Sequence, residues 1–310
     1  MLICRRLGAI LAAIAMAATA ANRTFAQDAS AVFAEIESHY RTLTNRTYLV
    51  ADGVELKLDA IVPRTPESPV PTLVSIHGGG WTDGSKELSY LRVLPYLEAG
   101  YAVVTANYRL ASRARAPAAV EDVRCVLRWV HANAAQWSFD LDRIVLTGWS
   151  AGGHLVMMAG LVSSADGFDT RCPAAARGVY AADREMPVRA IVNWYGPADI
   201  PDVLTGPNAI SVTATWIGSE PGADDLARRV SPMSYLSEQS PPIITIHGDA
   251  DRVVPYQQSV RLHGVLDELG VANRLVTVEG GGHGAFAVDV YRDVRTAILE
   301  FLKVHVTPQP

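Results

Sequence analysis

Residues 144–161 read IVLTGWSAGGHLVMMAGL, an apolar run that reaches a serine between glycines and continues as a helical pattern. Gly148 and Gly152, two positions before and after Ser150, let a strand turn sharply into a helix without a Cβ clash. Such a turn raises the serine hydroxyl above the sheet, at the positive end of the helix. The stretch therefore predicts a strand–turn–helix unit that presents Ser150 as a nucleophile.

Strand-like and helical patterns alternate on both sides of this turn. Asp52-Gly53 separates two strand-like stretches, 46–50 and 54–62, and predicts a hairpin. Continuous apolar runs, typical of buried parallel strands, follow at Thr72–Ile76, Ala102–Ala106, Ile144–Thr147, Ala190–Trp194, Ile243–Ile246 and Arg274–Val278. Helical patterns occupy Ala31–Leu43, Leu88–Glu98, Ala118–Gln136, Ala151–Leu161, Gln257–Leu269 and Val288–Val304.

This order of elements predicts an α/β fold, in which a mainly parallel eight-stranded sheet carries helices on both faces. Two connections, Ser163–Pro187 and Ala198–Pro242, are longer than ordinary ones, and we expect them to form a small lid or a pocket wall. Ligands of open sheets bind beyond the carboxyl ends of the strands. Polar residues that directly follow strands are therefore the candidates for a site.

The first 26 residues have the composition of a signal peptide. Arg5 and Arg6 precede a short apolar run that ends near Ala18, and cleavage is predicted after Ala20 or after Ala26. No later segment is apolar enough to cross a membrane. We therefore expect an exported protein, periplasmic or secreted, in which residues 27–310 form a single catalytic domain without a membrane span.

The bulk composition excludes some partners. The chain has 310 residues, is 49% hydrophobic and 19% charged, and carries a formal charge of -5, which fits a folded domain. It lacks the basic patch that nucleic acid would require. Of three cysteines, Cys4 leaves with the signal, Cys125 lies in a helical pattern as a small hydrophobe, and Cys172 lies in an irregular segment. An oxidising compartment permits a Cys125–Cys172 bridge, but their spacing does not decide it.

A serine needs a base, and eight histidines compete for that role. His283 follows the last strand in a glycine-rich loop, whereas His154 lies one helical turn beyond Ser150 and is read as structural. The acid that orients the base is expected after the seventh strand, where Asp249 and Asp251 both lie. Asp251 is preferred because it lies at the loop tip, and Asp249 is read as a turn cap.

Attack of the serine on a carbonyl group produces an oxyanion, which needs hydrogen-bond donors besides the nucleophile, the base and the acid. Residues 77–81 read HGGGW directly after the third strand, so that bare backbone amides can approach a substrate oxygen. Gly79, Gly80 and Ala151 are predicted to form the oxyanion hole, and the amide of Trp81 could replace one of the glycines. A phosphate-binding loop is disfavoured, because neither G-K-[ST] nor G-x-G-x-x-G occurs here.

Seven motifs in this order resemble the α/β-hydrolase superfamily from about Thr47 onward. They are HGGGW at 77–81, NYRL at 107–110, EDVRCVLRWV at 121–130, GWSAGGHL at 148–155, NWYGPADI at 193–200, HGDADRVVP at 247–255 and GGGHGAF at 280–286. The chain is most similar to bacterial esterases related to feruloyl and acetyl-xylan esterases, and more distantly to hormone-sensitive-lipase-like carboxylesterases. The resemblance implies a serine nucleophile, no metal and no cofactor, and it agrees with Asp251 rather than Asp249.

The predicted reaction is hydrolysis of short-chain, acetyl or feruloyl esters, on a small molecule or a polysaccharide, through an acyl-serine. An amidase, a formamidase or a peptidase would use the same residues, and a catalytically dead binding protein would be expected to lack one of them. Trp81 and Trp149 are candidate substrate contacts, although core or rim packing explains them nearly as well. Arg109 and Asp122 are read as a structural charge pair. The sequence does not indicate an oligomeric state.

Overall fold

The computed structural model describes residues 34–172 and 185–306. The predicted signal peptide and both cleavage sites lie outside the described residues. Of the described residues, 34–41 and 63–65 belong to one compact unit, and 42–62, 66–172 and 185–306 belong to a second. That residues 27–310 form one catalytic domain stays a prediction.

The structure contains an eight-stranded sheet with the strand order β1-β2-β4-β3-β5-β6-β7-β8. Strand β2 pairs with β4 in antiparallel orientation, and every pair formed among β3 to β8 is parallel. The strands are β1 (Tyr40–Ala51), β2 (Val54–Pro63), β3 (Val70–Ile76), β4 (Ala102–Ala106), β5 (Phe139–Trp149), β6 (Ala190–Trp194), β7 (Ile243–Gly248) and β8 (Asn273–Val278). The predicted mainly parallel eight-stranded sheet is confirmed.

Strand boundaries follow burial. Strands β4 and β6 match their apolar runs, and β4 is buried along its whole length. Strand β5 begins five residues before the predicted start at Ile144, because its first residues are mostly only partly buried and form no apolar run. The helix predicted over Ala31–Leu43 is wrong from residue 40 onward: residues 34–39 are helical, and β1 starts at Tyr40. Threonines at 42 and 44 favour the strand.

The helices are α1 (Tyr90–Glu98), α2 (Ala118–Ala132), α3 (Ala134–Trp137), α4 (Ala151–Leu161), α5 (Ile200–Leu204), α6 (Ser211–Ile217), α7 (Ala223–Arg229), α8 (Gln257–Glu268) and α9 (Val288–Val306). The chain passes from β3 to β4 on one side, then from β4 back across β3 to β5. Because parallel crossovers are right-handed, this reversal places α1 and α2 on opposite faces of the sheet. Helices therefore cover both faces, as predicted.

The two long connections differ in their roles. Within Ala198–Pro242, helices α5, α6 and α7 form a compact insertion, and Ile210 and Val212 line a pocket, so this connection is a pocket wall. In the other connection, Asp169 is bound to Arg124 and Arg128 of α2, at 2.7 and 2.5 Å. None of the described residues of Ser163–Pro187 lines that pocket.

A disulfide joins Cys125 of α2 to Cys172, with 5.1 Å between their Cα atoms. Cys125 is therefore buried, as predicted, but it is bonded rather than a free small hydrophobe. The spacing alone could not decide this pairing, because it depends on the path of the chain after α4. Both cysteines are fully buried, so the bridge fixes that path to the core.

Arg109, just after β4, is bound to Asp122 of α2 through three side-chain hydrogen bonds of 2.7 to 3.0 Å. The backbone amide of Arg109 donates to the same carboxylate at 2.7 Å. Both side chains are buried, and neither lines the pocket. The structural reading of this pair is confirmed. No described helix is long and apolar enough to cross a membrane.

Candidate active site

Ser150 lies on a sharp turn between β5 and α4. Its backbone has a φ of 54°, unusual for a residue with a side chain, and its amide donates to the carbonyl of Trp194 on β6 at 2.8 Å. A Cβ on Gly148 would lie 2.4 Å from the carbonyl oxygen of Gly152, and one on Gly152 would lie 2.2 Å from that of Ile76. Both glycines are therefore required for the turn, as the sequence predicts.

The imidazole of His283 connects Ser150 to Asp251. Its Nε2 lies 2.9 Å from Ser150 Oγ, and its Nδ1 lies 2.7 Å from Asp251 Oδ2. Since an ionised carboxylate only accepts hydrogen bonds, Nδ1 carries the proton and Nε2 accepts from the serine hydroxyl. The three predicted residues, which come from three separate loops, thus form one continuous hydrogen-bonded chain.

Asp251 is buried and held by several donors. Its Oδ1 accepts the amides of Val253 and Val254 at 2.7 and 3.0 Å, and its side chain has no exposed surface. Burial alone would raise the pKa of this carboxyl group, but hydrogen bonds from His247 and His283 hold it well below its usual range. Asp251 is therefore ionised at neutral pH and can stabilise a positive charge on His283.

A second histidine supports the carboxylate of Asp251. The Nε2 of His247 lies 3.2 Å from Asp251 Oδ2 and 3.0 Å from the carbonyl oxygen of Val254, so it is the donor. Its Nδ1 lies 2.7 Å from Ser259 Oγ and accepts from that hydroxyl. His247, near the end of β7, was not among the site residues predicted from the sequence. The signal that could have found it is its spacing of four residues before Asp251.

Asp249, the alternative acid, does not contact His283. Its carboxylate accepts the backbone amide of Gly280 at 2.7 Å and is exposed. This contact joins the loop after β7 to the loop that carries His283, so the reading of Asp249 as a cap that stabilises a turn is close to its observed contact.

His154 belongs to the core behind Ser150. Its Nε2 donates to the carbonyl of Val230 at 2.7 Å, and its Nδ1 accepts from Trp81 Nε1 at 3.3 Å. Complete burial lowers its pKa from 6.5 to about 4. The structural reading of His154 is confirmed, and its ring stays neutral at neutral pH.

Ser150 and His283 open into a cavity of about 420 Å³. Of the other sequence-predicted site residues, all but Asp251 line it; they are Gly79, Gly80, Trp81, Trp149 and Ala151. The loop after β3 and the start of α4 therefore border the same cavity as the serine hydroxyl. Tyr195 also lines the cavity, and its ring lies 4.6 Å from that of His283.

The two tryptophans differ in exposure. Trp149 is partly exposed, whereas Trp81 is 2% exposed and stacks on Trp216 with 4.5 Å between ring centres. Trp81 is therefore mainly a core residue that presents one edge to the cavity. The remaining walls come from residues that the sequence did not single out: Arg92, Pro197, Ile210, Val212, Val253 and Val254. Their positions depend on packing between distant elements.

In chemical terms, the site is a hydroxyl, an imidazole and a carboxylate in series beneath a mostly apolar cavity. A hydroxyl in this setting can lose its proton to the imidazole as it attacks an electrophilic carbon. Among the described residues, no cluster of histidine, cysteine, aspartate and glutamate side chains has the arrangement of a metal site.

Several known proteins are similar to this chain in sequence or structure. Esterase LipC of Mycobacterium tuberculosis is 29% identical over 84% of this chain, and esterase LipQ of the same organism is 31% identical over 77%. The chain spans 64% and 56% of the lengths of these two relatives. A truncated carbohydrate esterase from gut microbiota superposes with a TM-score of 0.72 at 29% identity, covering 86% of this chain and 97% of its own.

The propionate-bound esterase 2 of Thermogutta terrifontis superposes with a TM-score of 0.69 at 26% identity, covering 86% of this chain and 96% of its own. The sheet, its helices and these neighbours establish the α/β-hydrolase fold. The BD-FAE family model matches residues 58–266, about two thirds of the sequence. The chain therefore belongs to the BD-FAE family.

Proposed function

We propose that this protein is a serine esterase that hydrolyses carboxylic esters through an acyl-serine intermediate. The observation that carries the proposal is the series of contacts from Ser150 Oγ to His283 Nε2 at 2.9 Å and from His283 Nδ1 to Asp251 Oδ2 at 2.7 Å, which opens into a cavity. The esterases among its relatives and structural neighbours support the same conclusion.

In the first half-reaction, Ser150 Oγ forms a bond to the ester carbonyl carbon while its proton passes to His283 Nε2. The resulting oxyanion lies at the side of the cavity formed by Gly79, Gly80 and Ala151, whose amides act as its donors. Each such donor stabilises the transition state by about 3 kcal/mol. His283 then protonates the oxygen of the leaving alcohol as its bond to the carbonyl carbon breaks and the carbonyl double bond re-forms, which leaves the acyl-serine.

In the second half-reaction, water attacks the acyl-serine and gives its proton to His283, and collapse of the intermediate releases the acid and restores the Ser150 hydroxyl. Asp251 keeps His283 in the required tautomer throughout, and its ionised carboxylate stabilises the imidazolium formed in each half. The buried position of Asp251 favours this role, because a charge shielded from water acts more strongly on its neighbour.

The expected substrates are short-chain acyl, acetyl or feruloyl esters on a small molecule or a polysaccharide. The cavity volume of about 420 Å³ fits an acyl group of this size together with part of the alcohol. The apolar wall formed by Ile210, Val212 and Val254 suits a hydrocarbon chain or ring. The gut-microbiota carbohydrate esterase, a structural neighbour, supports the choice of a saccharide ester among the substrates to be tested.

We also propose that the protein is exported. The Cys125–Cys172 disulfide supports this, because such bonds persist in oxidising compartments and are rare in the cytosol. The arginine pair and apolar run of residues 5–18 add the features of a secretion signal. Fractionation of the native host with antibody detection tests this directly: the protein should be found in the periplasm or medium, and a purely cytosolic protein would contradict it.

The esterase proposal is tested with p-nitrophenyl esters of increasing chain length, methyl ferulate, acetylated xylan and N-formylkynurenine. The wild type is expected to prefer esters, and Ser150→Ala is expected to lose turnover on all of them. Retention of near-normal turnover by the alanine variant would refute the assignment of the nucleophile. Faster turnover of N-formylkynurenine than of every ester would replace the esterase by a formamidase with the same residues.

A further inference from the structure

Arg92 brings a positive charge into the cavity of Ser150. It lies on α1, is partly buried, and lines the cavity together with Ser150 and His283. Its guanidinium carbon lies 4.6 Å from the centre of the Trp149 ring. Trp149 directly precedes the nucleophile, so the charge is held next to the reacting centre.

The same arginine acts on Tyr195, whose ring packs against His283. Burial raises the pKa of Tyr195 to about 12, and the positive charge of Arg92 opposes this rise. Arg92 thus lies near both a neighbour of the nucleophile and a neighbour of the base.

The other buried arginines of the described regions are matched by carboxylates. Arg109 pairs with Asp122, and Arg124 and Arg128 both pair with Asp169. Within residues 34–172 and 185–306, by contrast, Arg92 forms no ion pair, and no aspartate or glutamate lines its cavity. A partly desolvated guanidinium without an acidic partner favours the binding of an anion supplied from outside.

The geometry of the guanidinium supports this role. A guanidinium that lies over an indole ring uses its flat face for that contact, and its N–H donors point outward in the plane. Two of these donors match the two oxygens of a carboxylate. The apolar residues Ile210, Val212 and Val254 around the cavity strengthen such a pair by reducing its contact with water.

We propose that Arg92 binds a carboxylate carried by the substrate, so that the preferred esters have a negative charge on the acyl or the alcohol part. This inference rests on the proposed esterase function and narrows its substrate class. Half-esters of dicarboxylic acids and acyl esters of hydroxy acids or acidic sugars are substrates of this kind.

Two pairs of model esters test the two positions of the charge. For the acyl side, the mono-4-nitrophenyl ester of adipic acid is compared with the same compound capped as a methyl ester. For the alcohol side, 4-carboxyphenyl acetate is compared with 4-carbamoylphenyl acetate. The readout is the ratio of kcat/KM for the anionic and the neutral member, measured in the wild type and in variants, so that intrinsic reactivity cancels.

In at least one pair, Arg92→Gln is expected to lower the ratio about tenfold or more, mainly through KM, as expected for loss of a charged hydrogen bond in a partly exposed site. Arg92→Lys keeps the charge without the planar fork and should give an intermediate ratio. High salt should lower the ratio in the wild type, which gives a measurement independent of variant folding. Arg46→Gln is the matched control, because it removes an exposed arginine from β1 at the far edge of the sheet.

The pair that responds identifies whether the carboxylate belongs to the acid or the alcohol. Equal loss on the anionic and neutral members in both pairs would overturn the inference and make Arg92 a support for Trp149. The inference would also be overturned if high salt did not change the ratio in the wild type and if Arg92→Gln had the same ratio as the wild type. Failure of the esterase proposal itself is distinct, since the wild type would then leave all four esters intact or match Ser150→Ala.

Discussion

Two histidines lie next to Ser150 in opposite surroundings. His283 comes from a loop, is 21% exposed, and bonds to Ser150 on one side and Asp251 on the other. His154 is one turn along α4 from Ser150, is completely buried, and is bonded to Trp81 and Val230. In the cavity, His283 is thus bonded to a hydroxyl and a carboxylate, whereas in the core His154 is surrounded by aromatic rings.

The difference shows that neighbours decide the role of a histidine. Next to an ionised carboxylate, an imidazolium is stabilised, and His283 can take up and return a proton. Among Trp81 and Trp216, a charge on His154 would have no counterion, and burial lowers its pKa to about 4. Substitutions of residues that contact His283 should therefore reduce turnover without loss of stability. Substitutions of core residues such as His154 should reduce stability with little effect on turnover.

The largest effect is expected at His283. His283→Ala removes the proton acceptor of Ser150, so kcat should fall about 10⁴- to 10⁶-fold. Because His283 is a loop residue with exposed surface, the melting temperature should stay within a few degrees of the wild type. Ester turnover and thermal unfolding measured on the same preparation test both statements. A large loss of stability would break the contrast between the two regions.

The two aspartates of the loop after β7 provide a sharper version of the same test. Asp251→Asn places an amide among groups that all donate to the carboxylate, and kcat should fall about 10⁴-fold. Asp249→Asn keeps a carbonyl oxygen for the amide of Gly280, and kcat should change less than about threefold. Steady-state kinetics with one p-nitrophenyl ester separates them. Equal losses of kcat in the two variants would show that turnover depends on the conformation of the loop rather than on the contact between Asp251 and His283.

Much of this site was predictable because the fold brings the ends of parallel strands to one edge. Ser150, Asp251 and His283 each follow a strand in a loop with a clear glycine or aspartate signature, and position along the chain was enough. His154 was recognised as structural from its place on the helix. The sequence thus predicts residues whose role depends on local turns and on the common edge of the sheet.

Contacts between distant elements were not predictable in this way. Arg92 meets Trp149 only because α1 follows β3 and β3 lies beside β5, and this strand order is not written in the periodicity of the sequence. The disulfide likewise depends on how the chain returns to α2 after α4. The helix predicted over Ala31–Leu43 failed at Tyr40, where pairing in the sheet outweighed a helical pattern.

Removal of the disulfide is expected to affect the core and not the cavity. The bridge closes a loop with a sequence separation of 47, and its loss in the double variant Cys125→Ala/Cys172→Ala should lower the free energy of unfolding by about 2–4 kcal/mol. The kcat of the folded variant should match the wild type, because neither cysteine lines the cavity. Urea unfolding and ester turnover at a temperature well below the transition are the measurements. An unchanged unfolding free energy would contradict the prediction.

The smallest effect expected is a pH dependence of stability from His154. Its pKa is lowered from 6.5 in the unfolded chain to about 4 in the folded protein, so between these values the unfolded chain binds a proton that the folded protein does not. The group therefore costs no stability above pH 6.5 and progressively more as the pH falls toward 4. Between about pH 7.5 and pH 5, this amounts to about 2 kcal/mol.

His154→Gln removes the titration and keeps an amide that can donate to Val230. Urea unfolding at both pH values, for wild type and variant, isolates the contribution, since the other titrating groups are common to both proteins. The variant should be less stable at pH 7.5, because packing against Trp81 is disturbed, but should lose about 2 kcal/mol less than the wild type on acidification. Equal losses of unfolding free energy on acidification would mean that His154 can accept a proton in the folded protein. The two histidines would then differ in their positions and not in their ability to carry a charge.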